Sequence, residues 1–142
     1  MQFENLVTIR RPRPDVFAYL ADFGNIPRWN HAIRETHLLT ELPVRVGSRF
    51  RQVRTLPSVS EEEFEVTEFD PDRRIAVEGV IAGFRGRATY VLDGEGDTTT
   101  LTNAAELAAS GAMGFMVSLA APRVRAAVAE NLGVLKDLLE RA

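Results

Sequence analysis

From Met113 to Arg141 the apolar residues Met113, Val117, Ala121, Val124, Val128, Leu132, Leu135 and Leu139 recur at steps of three and four. At about 100° per residue they fall in one arc, while Lys136, Asp137, Glu140 and Arg141 fall on the other side. A helix over this stretch is about 40 Å long. Nearly everything before it reads as strand and turn. An amphipathic helix that follows a run of strands has to cover a sheet, because neither apolar face is stable in water. Two details complicate the stretch. Pro122 lacks a backbone donor and clashes with the carbonyl of Ser118, so a kink or break is expected there. Phe115 and Leu119 lie opposite the stripe if the helix is continuous, so residues 112–121 are either buried on several sides or change direction.

The chain ahead of that helix divides cleanly. Phe3, Asn5, Val7 and Ile9 alternate with Gln2, Glu4, Leu6 and Thr8, a strand pattern ended by Pro12 and Pro14. Pro14 suits the first turn of a helix and Asp15 complements its dipole. Val16, Phe17, Leu20 and Phe23 form one apolar face, with a stop at Gly24. A second short turn, Ile26 to Asn30, carries the only tryptophan, Trp29, read as a core anchor or a pocket wall. Six strands follow, over Ala32–Thr40, Ser48–Leu56, Glu62–Phe69, Arg74–Val80, Arg85–Asp93 and Thr98–Leu107. Turn residues lie between them: Pro43 to Gly47, Pro57 to Ser60, Asp70-Pro71-Asp72, Ala82-Gly83 and Asp93-Gly94-Glu95-Gly96. Links this short force antiparallel neighbours. Ala109-Ser110-Gly111-Ala112 opens the last segment. The acidic triplet Glu61 to Glu63 reads as the solvated start of a strand.

Composition removes several classes of function. With 142 residues the chain is expected to be one domain, residues 1–142, with a full hydrophobic core. A net charge of −3 lacks the basic footprint of nucleic-acid binding. There is no cysteine, and His31 and His37 are the only histidines, so neither disulfides nor a thiolate or multi-histidine metal site is expected. No phosphate-cradling glycine motif precedes a helix, and no cofactor is expected. No apolar run approaches the roughly 20 residues of a transmembrane helix, and the first residues show no signal-peptide pattern. These features point to a cytoplasmic protein.

The segments VTIRRPRPDVFAYLADFGNIPRW, PVRVGSRF, EFDPDRRIAVEG and LGVLKDLLE, in that order and spacing, resemble the START-like or SRPBCC superfamily related to polyketide cyclases and dehydrases. The resemblance covers essentially the whole chain. It implies an α+β helix-grip fold: a curved antiparallel sheet of about seven strands wrapped around the C-terminal helix, with two short helices after the first strand. It also implies an apolar ligand held between sheet and helix. Members of the superfamily include cyclases, lipid and quinone carriers, hormone receptors and chaperone regulators, so fold alone does not decide function.

Strand parity asks which side chains face that gap. If Phe50, Phe64, Val66, Phe84, Tyr90, Leu92 and Leu101 mark the helix-facing side, then Asn5, Gln52, Arg54, Glu68 and Asn103 share it, unless a bulge reverses the order. Asn131 falls inside the apolar arc of the long helix. The expected ligand-lining set is Trp29, Phe50, Gln52, Arg54, Phe64, Tyr90, Asn103, Phe115, Val128, Asn131 and Leu132. Arg54 needs a partner on that face, either Glu68 or a ligand oxygen. No nucleophile–base pair or carboxylate dyad stands out, so no catalytic residue is assigned. The leading reading is binding or transport of a hydrophobic small molecule, a lipid, quinone or polyketide-like compound. An enzyme resembling the polyketide cyclases is the alternative, acting by conformational control with Arg54 or Tyr90 assisting enolate formation. The third is a protein–protein regulatory module, with a homodimer as one form.

Overall fold

The computed structural model describes residues 1–81, 84–108 and 111–142. The turn expected at Ala82 and Gly83 and the residues Ala109 and Ser110 lie outside the described residues, as do the side chains of Ala112, Met113 and Val117. Strand β1 (Gln2–Ile9) leads into helix α1 (Arg13–Ala21), a 3-10 turn (Phe23–Asn25) and helix α2 (Ile26–Trp29). Strands β2 (Ile33–Leu38), β3 (Arg49–Arg54), β4 (Ser60–Asp70), β5 (Arg74–Ile81), β6 (Phe84–Asp93) and β7 (Thr99–Ala108) follow, then helix α3 (Gly111–Arg141). The sheet has seven strands in the order β1-β7-β6-β5-β4-β3-β2, every pair antiparallel. This is the helix-grip fold that the sequence motifs imply.

The apolar parity of the strands and the faces of α1 and α3 meet in one core. Ile9, Val16, Val66, Ile75, Leu92, Leu101 and Leu135 are buried at its centre. Aromatic rings pack edge to face where α1 and the 3-10 turn cross the sheet. Phe23 lies 4.7 Å from Phe50 and 5.8 Å from Phe64, and Phe17 lies 5.3 Å from Phe69. Phe50 and Phe64, directly opposite each other on β3 and β4, stack at 5.2 Å. Gly79 is opposite Phe64 on β5, and a Cβ there would lie 2.2 Å from the Glu63 carbonyl oxygen. Only glycine lets the two strands approach so closely.

Helix α3 runs unbroken through Pro122, so of the two expectations the break is set aside. Pro122 and Ser118 are both exposed, and water can take the carbonyl that the proline leaves without a donor. The continuous helix decides the phase of its first half. Phe115 and Leu119 point outward and are 67% and 66% exposed. Phe115 is therefore corrected from a cavity wall to a surface residue, because a straight 3.6-residue repeat cannot turn it toward the stripe. The second half carries the packing: Leu132, Leu135 and Leu139 are buried, and α3 lies along β1 and against α2.

The far end of α3 is tied to the start of α1. Arg11 donates Nη1–H bonds to the carbonyls of Leu139 (2.8 Å) and Ala142 (3.0 Å) and an Nη2–H bond to Asp15 Oδ2 (2.8 Å). Those carbonyls have no partner within the helix, so one guanidinium closes the C-terminus of α3. Lys136 donates to the Thr8 carbonyl on β1. Glu140 accepts from the Arg10 backbone N–H at 2.9 Å and from Lys136 Nζ at 3.0 Å, and these bonds pull its carboxyl down to about 2. A depressed carboxylate stabilises the fold above its unfolded pKa near 4.5, and that contribution is lost as pH falls toward 2. Stability measured by urea titration should accordingly fall across this window, and Glu140→Gln should flatten the fall. An unchanged slope in the variant would separate Glu140 from acid sensitivity.

Gly133 sits inside α3 with no neighbouring atom within 4 Å of the position a Cβ would take. Gly133→Ala should therefore raise stability by about 0.5–1 kcal/mol through helix propensity and a less flexible unfolded chain. A lower denaturation midpoint would show that the helix needs glycine there.

Candidate functional site

Two polar groups of residues interrupt the apolar side of the sheet that faces α3. The first is a row across three strands. Asn5 on β1 is opposite Asn103 on β7, and Asn103 is opposite Tyr90 on β6. Asn5 Nδ2–H donates to the Arg125 carbonyl of α3 at 3.1 Å, so its amide joins strand to helix. Asn103 is buried and, among the described residues, donates to the Thr89 carbonyl alone, at 3.4 Å. Tyr90 meets the edge of Trp29 at 6.4 Å and 88°, and its hydroxyl makes no hydrogen bond among the described residues. Burial pushes the phenol up to about 12, so at neutral pH it is a donor and carries no charge.

The second group lies where β3 ends and β4 begins. Gln52 and Arg54 share the core-facing side of β3 with Phe50, as parity predicts, and Gln52 is opposite Glu62. Glu62 Oε2 accepts from Arg54 Nε at 2.8 Å, and Glu62 Oε1 accepts from Gln52 Nε2 at 3.0 Å. The side chain of Glu62 is 1% exposed and that of Arg54 is 12% exposed. Thr36, opposite Gln52 on β2, has a buried hydroxyl with no partner among the described residues.

This geometry corrects two expectations. Glu62 is no part of a solvated triplet. It lies two steps before Phe64 and four before Val66 on the same face, so the parity applied to β3 would have found it. Arg54 is paired with Glu62 and not with Glu68. The register of β4 against β5 shifts between Val66 and Glu68, and the extra residue, Thr67, turns Phe69 inward and Glu68 outward. On the outer face Glu68 joins Arg74 and Arg87, the latter at 2.7 Å, and Arg87 also reaches Glu78 at 3.2 Å. The Arg74 bond holds the Glu68 carboxyl below the usual carboxylate range against the desolvation it suffers, and Arg87 adds to the effect.

The remaining lining residues fall in three places. Trp29, Phe50, Phe64 and Leu132 belong to the packed core. Val128 is half-buried against it, on the side of α3 that faces the sheet. Asn131 is buried and its Oδ1 accepts from the His31 backbone N–H at 3.3 Å, which fixes the loop after α2. His37 is exposed beside Glu35 and faces away from the core. Among the described residues no cluster of three or more His, Asp or Glu side chains is placed to hold a metal ion, and no helix is long and apolar enough to cross a membrane.

One end of the molecule is built differently from the other. The ends of β3, β5 and β7 and the starts of β1, β4, β6 and α3 come together there. Leu56 and Val59 in the β3–β4 loop and Phe115, Met116 and Leu119 on α3 are all more than half exposed at that end. Phe84, Ala88 and Tyr90 on β6 are only half-buried, where Leu92 farther along the strand is covered. Between β1 and α3 a cleft of about 460 Å³ is lined by Phe3, Asn5, Ala121, Pro122, Ala126 and Ala129. Ala121, Ala126 and Ala129 leave room there, and Arg125 of the same helix borders it.

Over residues 1–140 the sequence matches the family described as polyketide cyclase / dehydrase and lipid transport. The chain belongs to that family. Among solved structures, a START superfamily protein from Mycobacterium smegmatis superposes with a TM-score of 0.80 at 16% identity, covering 97% of this chain and 98% of that one. TTHA0849 from Thermus thermophilus gives 0.73 at 18% identity, with 99% and 95% covered. The di-domain ARO/CYC StfQ from the steffimycin biosynthetic pathway gives 0.79 at 14% identity, covering 99% of this chain and 50% of that protein. At these identities the likeness is one of fold. No protein of curated function matches the sequence.

Proposed function

We propose that the chain binds a hydrophobic small molecule, a lipid, quinone or polyketide-like compound, between the core-facing side of the sheet and the first half of α3. The observation that carries this reading is the Tyr90–Asn103 pair. A phenol that stays protonated and a buried amide stand side by side on an apolar surface, and the phenol has no protein partner among the described residues. The half-buried phenol has its hydroxyl free to meet solvent or a ligand, and a ligand oxygen is its natural complement. The half-buried Phe84 and Ala88 on the same strand supply apolar contact beside them. The lipid-transport part of the family description supports the reading.

The test is native mass spectrometry of the protein purified from its host, then extraction and identification of what it holds. The expected result is a retained apolar compound that is released unchanged, and Tyr90→Phe should retain it several-fold less. A protein that emerges empty and takes up neither lipids, quinones nor aromatic polyketides would end the binding proposal. Turnover of an aromatic polyketide would replace carriage with the cyclase alternative, Tyr90 then donating to the developing enolate.

A further inference from the structure

We propose that the cleft between β1 and α3 holds an amphiphile with an anionic head group, carboxylate or phosphate, which Arg125 binds at the outer end of the cleft. This rests on the binding reading above and deepens it to a ligand class. The cleft has a volume of about 460 Å³, within the range of small-molecule sites. Its walls are mostly apolar: Phe3 on the strand, and Ala121, Pro122, Ala126 and Ala129 on the helix. Asn5 Nδ2–H donates to the Arg125 carbonyl at 3.1 Å, and Lys136 donates to the Thr8 carbonyl. Strand and helix therefore run in the same direction and are pinned at two places. The space between them is a formed feature of the fold.

Charge selects the head group. Of the polar residues that border the cleft, Gln2 and Asn5 are neutral and Arg125 is cationic, and none of the described lining residues is acidic. Steps of three and four from Pro122 through Arg125 and Ala126 to Ala129 put Arg125 on the cleft side of the helix. Its guanidinium makes no ion pair or hydrogen bond among the described residues. Long helical side chains lean toward the N-terminus of their helix, which carries this charge toward Gln2 and the open end of the molecule. A chain lying along the alanines then has its head by the guanidinium and its tail toward Leu132, where the packed core begins. An anionic head gains a charge-assisted hydrogen bond there, roughly twice as strong as one to a neutral oxygen. An ammonium head would meet a like charge.

Three probes with the same alkyl chain test this: dodecanoate, dodecyl phosphate and the neutral methyl dodecanoate. Each is titrated by equilibrium dialysis at pH 7.5, where the carboxylic acid is ionised. In the wild-type protein at least one anion should bind about fivefold or more tightly than the ester, the upper part of what an ion pair at a solvent-exposed rim supplies. The tighter of the two anions names the head group. Arg125→Met should remove the preference and leave the ester unchanged, and Ala126→Phe, which fills the cleft, should weaken whatever binds. Both positions are exposed, so both variants should fold. An ester that binds as well as both anions, or a preference that survives Arg125→Met, would overturn the inference and leave the binding reading standing. Affinities untouched by Ala126→Phe would place binding outside this cleft and overturn it equally. Binding of none of the three probes would also overturn it, and the native mass spectrum then shows whether the binding reading falls with it.

Discussion

Glu62→Ala is expected to cost the fold about 3–5 kcal/mol, because it removes one partner of a buried ion pair and leaves Arg54 without compensation. The loss is large for physical reasons that the geometry makes specific. Glu62 is almost wholly enclosed, accepts from two side chains on the neighbouring strand, and spans the last rungs of the β3–β4 ladder. Replacing both partners tells the pair's worth apart from the cost of breaking it. Arg54→Met with Glu62→Leu removes both charges and should recover most of the loss, since well-packed apolar residues often match a buried pair in stability. Urea denaturation of the two single variants and the double variant forms the cycle. A Glu62→Ala protein as stable as the wild type would mean that water reaches Arg54 freely and that the pair is a surface one in solution.

Leu135→Ala should destabilise by about 3 kcal/mol, within the range for deleting a buried leucine side chain. Leu135 is completely buried at the meeting of α3 with the sheet, next to Leu132 and Leu139. The informative control is on the same helix. Leu119→Ala removes an equal volume from a side chain that is 66% exposed, and should change stability by less than about 0.5 kcal/mol. Chemical denaturation that found equal costs at the two positions would show that the first half of α3 is packed in solution. The expected contrast assigns the halves separate roles. Residues after Glu130 hold the sheet closed, and those before it border the open end.

Much of this is legible in the sequence. Among the described residues, turn residues mark the strand boundaries to within a few positions, and the period of the last helix shows which face of its second half is buried. Parity correctly turns Gln52, Arg54 and Asn103 inward, because β3 and β7 run without irregularity. It fails on Glu68, because one additional residue in β4 reverses the order, and no residue type in the run Val66-Thr67-Glu68 announces a bulge. In β2 a similar shift between Ile33 and Glu35 leaves Thr36 and Leu38 opposite Gln52 and Phe50, with His37 on the other side. Glu62 is hidden for a different reason. Two acidic neighbours make a solvated run the simpler reading, and only the pairing partner across the ladder shows that the middle carboxylate is spent inside. Phe115 shows the reverse error, a large apolar residue expected to be buried although its helical phase puts it outside.

The treatment of the two sheet margins has a consequence for how the protein behaves in bulk. An open sheet presents unpaired backbone groups along its first and last strands, and these are templates onto which another chain can add. Along β1 that opportunity is taken up internally: α3 lies beside the strand, and Lys136 occupies the Thr8 carbonyl. At the opposite margin β2 is six residues long, carries a register shift, and displays Arg34, Glu35 and His37 to solvent. A short, irregular, charged strand is a poor template. Both routes by which copies of this sheet could zip into a continuous one are thus obstructed, one by a helix and the other by charge. The exposed side chains of Leu56, Val59, Phe115 and Met116 lie in the β3–β4 loop and on α3, and none belongs to an edge strand. The fold keeps greasy surface near its opening without offering it a path to fibrils.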